Sequence, residues 1–293
     1  MKMTSIILLG SSGFIGKSLL PKLTMEGFSV KPMTFHNPIN HVNEFHGDIL
    51  ESHILDPFLN KNDIVVNLIG QYIDNDSEFI DINIQGGLNL LNSCVKNNVK
   101  KVILISTINV YGNSLNDPSN EESELMPQTN YGLIKLLTEK LYQHFSKIYN
   151  LDITILRMSN LYGPNKKAGY VSHLINSAVH PIQNIVAYNN GNQFRDILFI
   201  DDAIDGIIKS IKKSITGFNI FNISSGSKYA INEIIKEIEN VSNQKLNIGY
   251  SEEIPDEICI WANNSKAKSV LGFNPVVSLQ EGLKITINHL KKT

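Results

Sequence analysis

The sequence predicts an α/β fold: a doubly wound parallel sheet with helices on both faces. Short continuous apolar runs alternate with longer segments of helical character through the first half of the chain, and a glycine-rich turn directly follows the first apolar run. Continuous apolar strands are typical of parallel strands that are buried on both faces. Their alternation with helices is typical of right-handed βαβ units, so the strands are expected to share one sheet.

The individual elements follow from the same pattern. The predicted strands of the first half are 5–9, 28–35, 63–69, 101–106 and 152–157, and the predicted helices are 14–25, 82–97 and 128–149. After Gly163 the pattern loosens. It predicts helices at 170–179, 202–213, 232–241 and 279–290, a short helical segment from 267 to 271, and short strands at 185–188, 197–200 and 219–223.

Composition excludes several classes of protein. The chain has 293 residues, 42% of them hydrophobic, and a net charge of −2. This balance is typical of a globular protein and argues against nucleic acid and anionic membranes as partners. The apolar run 6–9 is too short for a signal segment or a membrane span. We therefore expect a cytoplasmic protein with no nucleic-acid or membrane partner.

Metal-binding patterns are absent from the sequence. The two cysteines, Cys94 and Cys259, are far apart and neither belongs to a CxxC motif. The eight histidines show neither HxxxH nor HExxH spacing. These features indicate a reducing compartment and predict no metal site.

The glycine-rich turn is the first candidate binding element. Residues 10–16 read GSSGFIG, between a buried strand and a helix. Gly10 permits a tight turn, Gly13 permits close approach of a pyrophosphate, and Gly16 permits the helix to pack on the strand. The start of the helix attracts phosphate through its N–H groups and its dipole. The turn therefore predicts dinucleotide contacts at Gly10, Gly13, Phe14, Ile15 and Gly16.

The choice between NAD and NADP stays open from the sequence. An acidic residue at the end of the second strand often binds the adenosine ribose, and an arginine nearby accommodates the 2′-phosphate of NADP. Residues 33–37 read MTFHN and contain neither.

A second candidate site is formed by Tyr131 and Lys135, which share one helix face at i and i+4 spacing. A nearby ammonium stabilises a phenolate and lowers the pKa of the phenol. The pair can then exchange a proton with a substrate hydroxyl while hydride moves to or from a nicotinamide. Thr107 follows the strand 101–106 at the sheet edge where ligands bind, and it can donate a hydrogen bond to the same substrate oxygen.

These motifs, in this order, resemble the extended short-chain dehydrogenase/reductases of the NAD-dependent epimerase/dehydratase family. The resemblance covers nearly the whole chain, through the segments GSSGFIG at 10–16, STINVYG at 106–112, LRMSNLYGP at 156–164, GNQFRD at 191–196 and WANNSKA at 261–267, with LGF at 271–273. It implies that Thr107, Tyr131 and Lys135 are catalytic. It also implies a nucleotide-diphosphate sugar as substrate.

The resemblance further implies binding residues beyond the glycine turn. The implied cofactor-binding residues are Asp48, Ile49, Leu68, Ile69, Gly70, Asn83, Ser106 and Met158, together with Tyr131 and Lys135. The implied substrate-binding residues are Thr107, Asn109, Asn160 and Arg195.

Arginine is rare in this chain. Only Arg157 and Arg195 occur among 26 basic residues. Because the chain otherwise uses lysine for positive charge, an arginine suggests a position that requires the planar guanidinium. A guanidinium can bind phosphate through two parallel hydrogen bonds, and an ammonium cannot. By the resemblance, Arg195 holds the diphosphate, whereas Arg157 is structural and ties the end of its strand to the lobe above.

The chain also departs from the family pattern. No arginine occurs at 253–257, where the family often has a second one, and Asn263 replaces a usual aspartate. Ile134 replaces a common serine, and residues 67–69 read NLI in place of HxA. Dehydratases of the family usually carry Asp-Glu after the catalytic threonine, but here those residues are Ile108 and Asn109, which disfavours dehydration.

Three functions remain after these comparisons with the family pattern. The interpretation that we favour is a 4-epimerase, which removes hydride at sugar C4 and returns it to the other face. A reductase of a nucleotide-linked 4-keto-6-deoxy sugar would use the same groups, and some such enzymes carry an Ala-Asn-Asn segment like 262–264. A non-catalytic NAD(P)-binding scaffold is the third, although such proteins often lose the tyrosine or lysine.

The domain organisation follows from the position of the motifs. We expect a doubly wound parallel Rossmann sheet over residues 1–163, to which 191–215 returns, and a smaller C-terminal substrate-binding lobe formed mainly by 164–293. We also expect a homodimer through the helices 82–97 and 128–149, as the resemblance implies.

Overall fold

The computed structural model describes residues 5–70, 76–114, 116–180, 185–253 and 259–292. Its largest sheet contains seven parallel strands in the order β11-β6-β5-β4-β1-β2-β3. These strands are β1 (Ser5–Leu9), β2 (Ser29–Thr34), β3 (Phe45–His46), β4 (Ile64–Asn67), β5 (Lys101–Thr107), β6 (Asp152–Met158) and β11 (Phe218–Ile223).

Three two-stranded sheets lie outside the main sheet. They pair β7 with β10, β8 with β13 and β9 with β12. Their strands are β7 (Asn160–Tyr162), β8 (Ile185–Ala187), β9 (Phe194–Arg195), β10 (Ile197–Phe199), β12 (Tyr229–Ala230) and β13 (Ile248–Tyr250).

Helices connect the strands. They are α1 (Phe14–Met25), α2 (Asp76–Ile80), α3 (Gly86–Lys96), α4 (Asn130–Tyr149), α5 (Tyr170–Ser177), α6 (Ile200–Lys212), α7 (Ile231–Ser242) and α8 (Leu279–Leu290). Residues Asp81–Gln85 and Ala267–Leu271 form π-helical turns, and Ile108–Tyr111 and Asn189–Gly191 form 3₁₀ turns. Within the described ranges, no helix is both long enough and apolar enough to cross a membrane.

The main sheet is buried on both faces. Ile6 and Leu8 pack into one hydrophobic cluster, whereas Ile7 and Leu9 pack into a second one across the sheet. Successive side chains of a strand point to opposite faces, so a strand covered on both sides must be apolar at every position. The doubly wound parallel sheet predicted from the continuous apolar runs is thus confirmed.

One feature of the fold differs from the prediction. The helix predicted for 82–97 is part of a longer helical segment that begins at Asp76 and passes through the π-helical turn Asp81–Gln85 into α3. The segment 191–215 contributes α6, which packs against α1 and β6. The edge strand β11 of the main sheet follows that segment.

Candidate active site at the carboxyl edge of the sheet

The carboxyl ends of four neighbouring strands meet at one edge of the sheet. Leu9 of β1 lies beside Asn67 of β4, which lies beside Leu104 of β5. Thr107, the last residue of β5, lies beside Met158, the last residue of β6. Ligands bind at this edge of open α/β sheets, and most of the residues predicted to bind the cofactor come directly after these strands.

The glycine turn has the geometry that a phosphate-binding turn requires. Gly10 has a φ of +76°, and its carbonyl accepts a hydrogen bond from the Gly13 N–H at 3.1 Å. A Cβ at Gly16 would lie 2.5 Å from the Gly10 and Ser11 carbonyl oxygens, so α1 could not approach the turn this closely with any other residue there.

The start of α1 can accept an anion. Gly13 is the N-cap residue, and no side chain caps the helix. The first N–H groups of a helix have no partner within the helix, and its dipole favours negative charge there. The turn therefore fits the pyrophosphate of a dinucleotide, as its sequence predicts, with Phe14 and Ile15 as the first helical residues.

Residues that follow β4 form one side of this site. Ile69 packs against Gly10, and its N–H donates to Asn67 Oδ1 at 3.0 Å. The Leu68 N–H donates to the Leu9 carbonyl at 3.1 Å. These contacts hold the predicted cofactor residues Leu68 and Ile69 beside the glycine turn.

Asp48 and Ile49 lie after β3, beyond the end of β2. The Asp48 carboxylate accepts from the Leu50 N–H at 2.9 Å, and Ile49 is buried against Gly86 of α3. Asn89 of α3 donates to the Ile49 carbonyl at 3.0 Å. The segment is thereby fixed against the helix that follows β4.

A buried acid stands beside the end of β2, although none follows that strand directly in sequence. Glu44 Oε1 accepts from the hydroxyl of Thr34, the last residue of β2, at 2.6 Å. The Glu44 carboxylate also accepts from the Ile39 and His41 N–H groups. The bond from Thr34, together with the backbone bonds, lowers the pKa of Glu44 to about 2, so the group is ionised at neutral pH.

Thr107 and Tyr131 are brought into direct contact. Thr129 caps α4, its hydroxyl accepting from the Gly132 N–H at 3.1 Å, which places Tyr131 in the first turn. The Thr107 side chain acts on the Tyr131 phenol and lowers its pKa, against the larger opposite effect of burial. The Tyr131 ring stacks on the buried ring of Phe79, with centroids 5.6 Å apart.

Lys135 lies one turn further along α4 and is buried. Its Nζ donates to Asn83 Oδ1 at 3.5 Å, and Asn83 is fixed in turn by a bond from its Nδ2 to the Phe79 carbonyl. Gly70 has a φ of +119°, and a Cβ there would lie 2.5 Å from Asn83 Oδ1 and 2.9 Å from Lys135 Nζ. The sequence-predicted residues Gly70, Asn83 and Lys135 thus form one compact group.

Burial changes the acidity of both catalytic candidates. It lowers the pKa of Lys135 to about 8, against the opposing effect of the Glu139 carboxylate. It raises the pKa of Tyr131, against the opposing effect of Thr107.

Ser106 and Arg157 share one buried partner. The Ser106 hydroxyl donates to Glu139 Oε1, and Arg157 binds the same carboxylate through Nε and Nη2. The prediction that Arg157 is structural agrees with this pairing, but the predicted partner was wrong. Arg157 ties β6 to α4 beneath the catalytic group, and not to the lobe above. The Ser106 side chain points to Glu139, so only its backbone is left to face a cofactor.

On the substrate side, Asn160 is bound to the residue that follows Arg195. The Asn160 N–H donates to the Asp196 carbonyl at 3.1 Å, and Asn160 begins β7, which pairs with β10. Arg195 is half-buried on β9, opposite Tyr229, and its Nη1 donates to the Phe194 carbonyl at 3.0 Å. Asn109 stands two residues after Thr107 and donates its N–H to the Thr107 hydroxyl at 3.2 Å.

The sequence reasoning missed three polar residues at the site, of which Glu139 and Asp196 are buried and Lys166 is half-buried. Glu139 binds Arg157, as described above. Asp196 accepts from the Ser225 N–H and hydroxyl and from the Ala262 N–H, and its burial raises its pKa to about 6. Lys166 lies with its Nζ 5.0 Å from the centroid of the Phe14 ring, and burial lowers its pKa.

Each missed residue carried only a weak signal in the sequence. Glu139 stands four residues after Lys135, a spacing that also fits an ordinary exposed pair on a helix surface. Lys166 comes from the loop after β7 and reaches the start of α1 only in the folded chain. An anion bound at that helix start would lie beside its ammonium. Among the described residues, no group of three or more His, Cys, Asp or Glu side chains could hold a metal ion.

Comparisons with known proteins identify the family and related enzymes. The sequence profile of the NAD dependent epimerase/dehydratase family matches residues 6–224. A UDP-glucuronate 4-epimerase of Thermodesulfobacterium geofontis is 31% identical over 223 residues, which cover 75% of this chain and 68% of that protein.

Solved structures of 4-epimerases are also similar to this chain over nearly its whole length. The UDP-glucose 4-epimerase of Thermotoga maritima, in a structure with UDP-glucose, has a TM-score of 0.89 and 26% identity, and 99% of each chain is covered. The UDP-glucuronic acid 4-epimerase of Bacillus cereus, in complex with UDP-glucuronic acid and NAD, has a TM-score of 0.87 and 25% identity, with 99% of each chain covered.

The fold, the site and these relatives define the class of protein. The chain is an NAD(P)-dependent enzyme of the extended short-chain dehydrogenase/reductase type. Within that class it belongs to the NAD dependent epimerase/dehydratase family. The family resemblance carried by the sequence motifs is confirmed, and the interpretation as a non-catalytic scaffold loses its basis.

The role of Tyr131 is tested by Tyr131→Phe, which removes the phenol oxygen but keeps the ring on Phe79. We expect turnover to fall by roughly 10²-fold or more, the usual contribution of a positioned acid or base. NAD affinity, measured by quenching of intrinsic fluorescence, should change little, since the glycine turn that binds the pyrophosphate is untouched. Tyr149→Phe, an exposed position on the same helix, is the matched control. Equal turnover in the two variants would refute the assignment.

Proposed function

We propose that the protein is a 4-epimerase of a nucleoside-diphosphate sugar that keeps NAD bound through the reaction. The observation that carries the proposal is the placement of Thr107 at the sheet edge beside Tyr131, with Lys135 one turn further along α4 and the start of α1 free of a side-chain cap. This group can exchange one proton with a substrate hydroxyl, which is the only acid–base step that epimerisation requires.

The steps follow from the residues. The nicotinamide, when bound, supplies the acceptor and donor of hydride. Tyr131, as phenolate, takes the proton of the sugar C4 hydroxyl as hydride leaves C4. Thr107 orients that oxygen by a hydrogen bond. When the 4-keto sugar has rotated within the site, hydride would be returned to its other face. Tyr131 gives the proton back to the C4 oxygen. Protons and electrons balance, so no co-substrate is consumed.

The residues next to Thr107 support epimerisation over dehydration. Ile108 is fully buried, and the N–H of Asn109 is bound to the Thr107 hydroxyl. Elimination of water from the sugar needs a further acid and base. The side chains of Ile108 and Asn109 do not ionise, so they cannot supply them.

The segment Ala262-Asn263-Asn264 gives no support to a 4-keto sugar reductase. Asn264 donates to the Ser224 carbonyl at 2.8 Å, and Asn263 Oδ1 accepts from the Ser265 N–H at 2.8 Å. Both side chains are used within the chain, so the segment is explained by structure and does not indicate a particular substrate.

NAD is favoured over NADP by Glu44. Its carboxylate is ionised and stands against Thr34 at the end of β2, the region where adenosine ribose hydroxyls are bound in this fold. A 2′-phosphate placed there would meet a negative charge. The cofactor that co-purifies with the protein, identified by mass spectrometry, tests this choice.

Retention of hydride distinguishes the candidate reactions. A UDP-hexose labelled with deuterium at C4 should give the C4 epimer with the deuterium retained, in the absence of added cofactor. Mass spectrometry and NMR of the product measure this. Consumption of added NADPH with a 4-keto substrate would establish a reductase instead. A 4-keto-6-deoxy product would establish a dehydratase. A panel of UDP-, dTDP- and GDP-sugars identifies the substrate.

Arg195 is proposed to hold the diphosphate of the substrate, because it is one of only two arginines and directly precedes Asp196, whose carbonyl binds the Asn160 N–H. In Arg195→Lys the bidentate fork is lost, and we expect KM for the nucleotide sugar to rise by roughly tenfold with unchanged NAD affinity. Lys209→Met, an α6 residue paired with Asp205, is the control. A parallel loss of NAD affinity would show that Arg195 is structural.

A homodimer through α2, α3 and α4 is also proposed. Leu133 and Leu137 lie one turn apart on α4 and are 45% and 49% exposed, and Ile80 of the adjoining α2 is 44% exposed. This apolar strip has the i, i+4 spacing of a helix–helix contact. Sedimentation should show a dimer for the wild type and a monomer for Leu137→Lys. Ile285→Lys on α8, similarly exposed, should remain dimeric, and a dimeric Leu137→Lys variant would contradict the proposal.

A further inference from the structure

The catalytic helix carries a second buried charge that the reaction itself does not use. Glu139 lies one turn beyond Lys135 on α4 and is only 2% exposed. Its partner, Arg157 at the end of β6, is 1% exposed. Buried charges of this kind are rare unless they are paired, and removing one partner alone leaves an uncompensated charge.

The geometry of the pair is a fork. Arg157 Nε lies 3.1 Å from Glu139 Oε1, and Arg157 Nη2 lies 2.7 Å from Oε2. The Ser106 hydroxyl adds a third bond to Oε1. The Tyr111 ring packs against the guanidinium, with Arg157 Cζ 4.7 Å from the ring centroid. The pair is therefore fixed in one position behind the catalytic residues.

The orientation of the pair matters for Lys135. The carboxylate belongs to the same helix as Lys135, whereas the guanidinium approaches from β6. Residues four apart lie on one helix face, so the negative end of the pair is the nearer one to the Lys135 ammonium. The Glu139 carboxylate favours the protonated form of Lys135, and burial opposes it.

We propose that the Glu139–Arg157 pair sets the proton affinity of Lys135, and through Lys135 that of Tyr131. Both residues are then positioning residues: neither touches the reacting atoms, and Ser106 links the pair to the strand that ends in Thr107. The inference rests on the proposed function, since it assumes that Lys135 assists proton transfer.

Among the described residues, the charged and titratable groups around the pair are Lys135 on α4, Tyr111 in the turn after β5 and, beyond Tyr111, Glu121. Asn83 and Ser106 contribute uncharged bonds. Tyr111 stays neutral, because burial raises its pKa to about 12 and its hydroxyl donates to Asn222 Oδ1. The Glu139 carboxylate therefore acts on Lys135 directly, and the Arg157 guanidinium acts through the carboxylate that it binds.

Two single variants test the proposal, because they should shift the same pKa in opposite directions. Glu139→Gln removes the negative end and leaves the guanidinium, so the pKa of Lys135 should fall by about one unit. Arg157→Met leaves the carboxylate alone, so the pKa of Lys135 should rise by about one unit. The alkaline limb of the kcat profile should move to lower pH in the first variant and to higher pH in the second.

The pKa itself is measured without substrate. NMR titration of protein labelled with 13C at the lysine Cε carbons, with the Lys135 signal assigned by its loss in Lys135→Met, reports the titration directly. The double variant Glu139→Gln/Arg157→Met removes both charges, and a buried pair can often be replaced in this way at little cost in stability. Its Lys135 pKa should lie between those of the two single variants, and circular dichroism checks that each variant is folded.

The outcomes separate this inference from the proposed function. Opposite shifts in the NMR titration support the role of the pair even if no sugar is epimerised. Shifts in the same direction, or an unchanged Lys135 pKa in variants that only melt earlier, would show that the pair is merely structural and would overturn the inference. An active epimerase with unchanged profiles in all three variants would overturn it as well.

Discussion

The buried ion pair between Glu139 and Arg157 is the constraint on which the site depends. It joins α4 to the ends of β5 and β6, through Ser106 on one strand and Arg157 on the next. The catalytic helix is therefore held in register with the strand that supplies Thr107. A purely apolar contact would allow α4 to slide or rotate slightly, whereas a bidentate pair with a third bond fixes both the distance and the angle.

Much of the fold could be predicted from the sequence because its strongest signals are local. Continuous apolar runs such as Ile6–Leu9 report burial on both faces of a sheet, and a glycine at 10, 13 and 16 reports a tight turn at a helix start. The candidate residues Thr107, Tyr131 and Lys135 could be predicted because they stand at a strand end and at i, i+4 spacing on one helix face. The structure places Thr107 at the end of β5, with Tyr131 and Lys135 in the first two turns of α4.

The features that were missed depend on contacts between distant parts of the chain. Arg157 could be interpreted as structural from the family resemblance, but its partner on α4 could not be predicted, since the Lys135–Glu139 spacing resembles an exposed helix pair. The π-helical turn at Asp81–Gln85 has no sequence rule of its own, yet it carries Asn83 to Lys135. The two-residue strands β3, β9 and β12 are too short for any periodicity to show.

Gly70 contributes no chemical group, but the site leaves no space for a side chain there. Asn83 Oδ1 and Lys135 Nζ lie so close to Gly70 that a Cβ at this residue would collide with both atoms. A change at residue 70 would therefore have to be accompanied by smaller or displaced side chains at two positions far along the chain. The three positions are therefore coupled sterically, and the choice of residue at 70 is restricted by the space that the Lys135 and Asn83 side chains need.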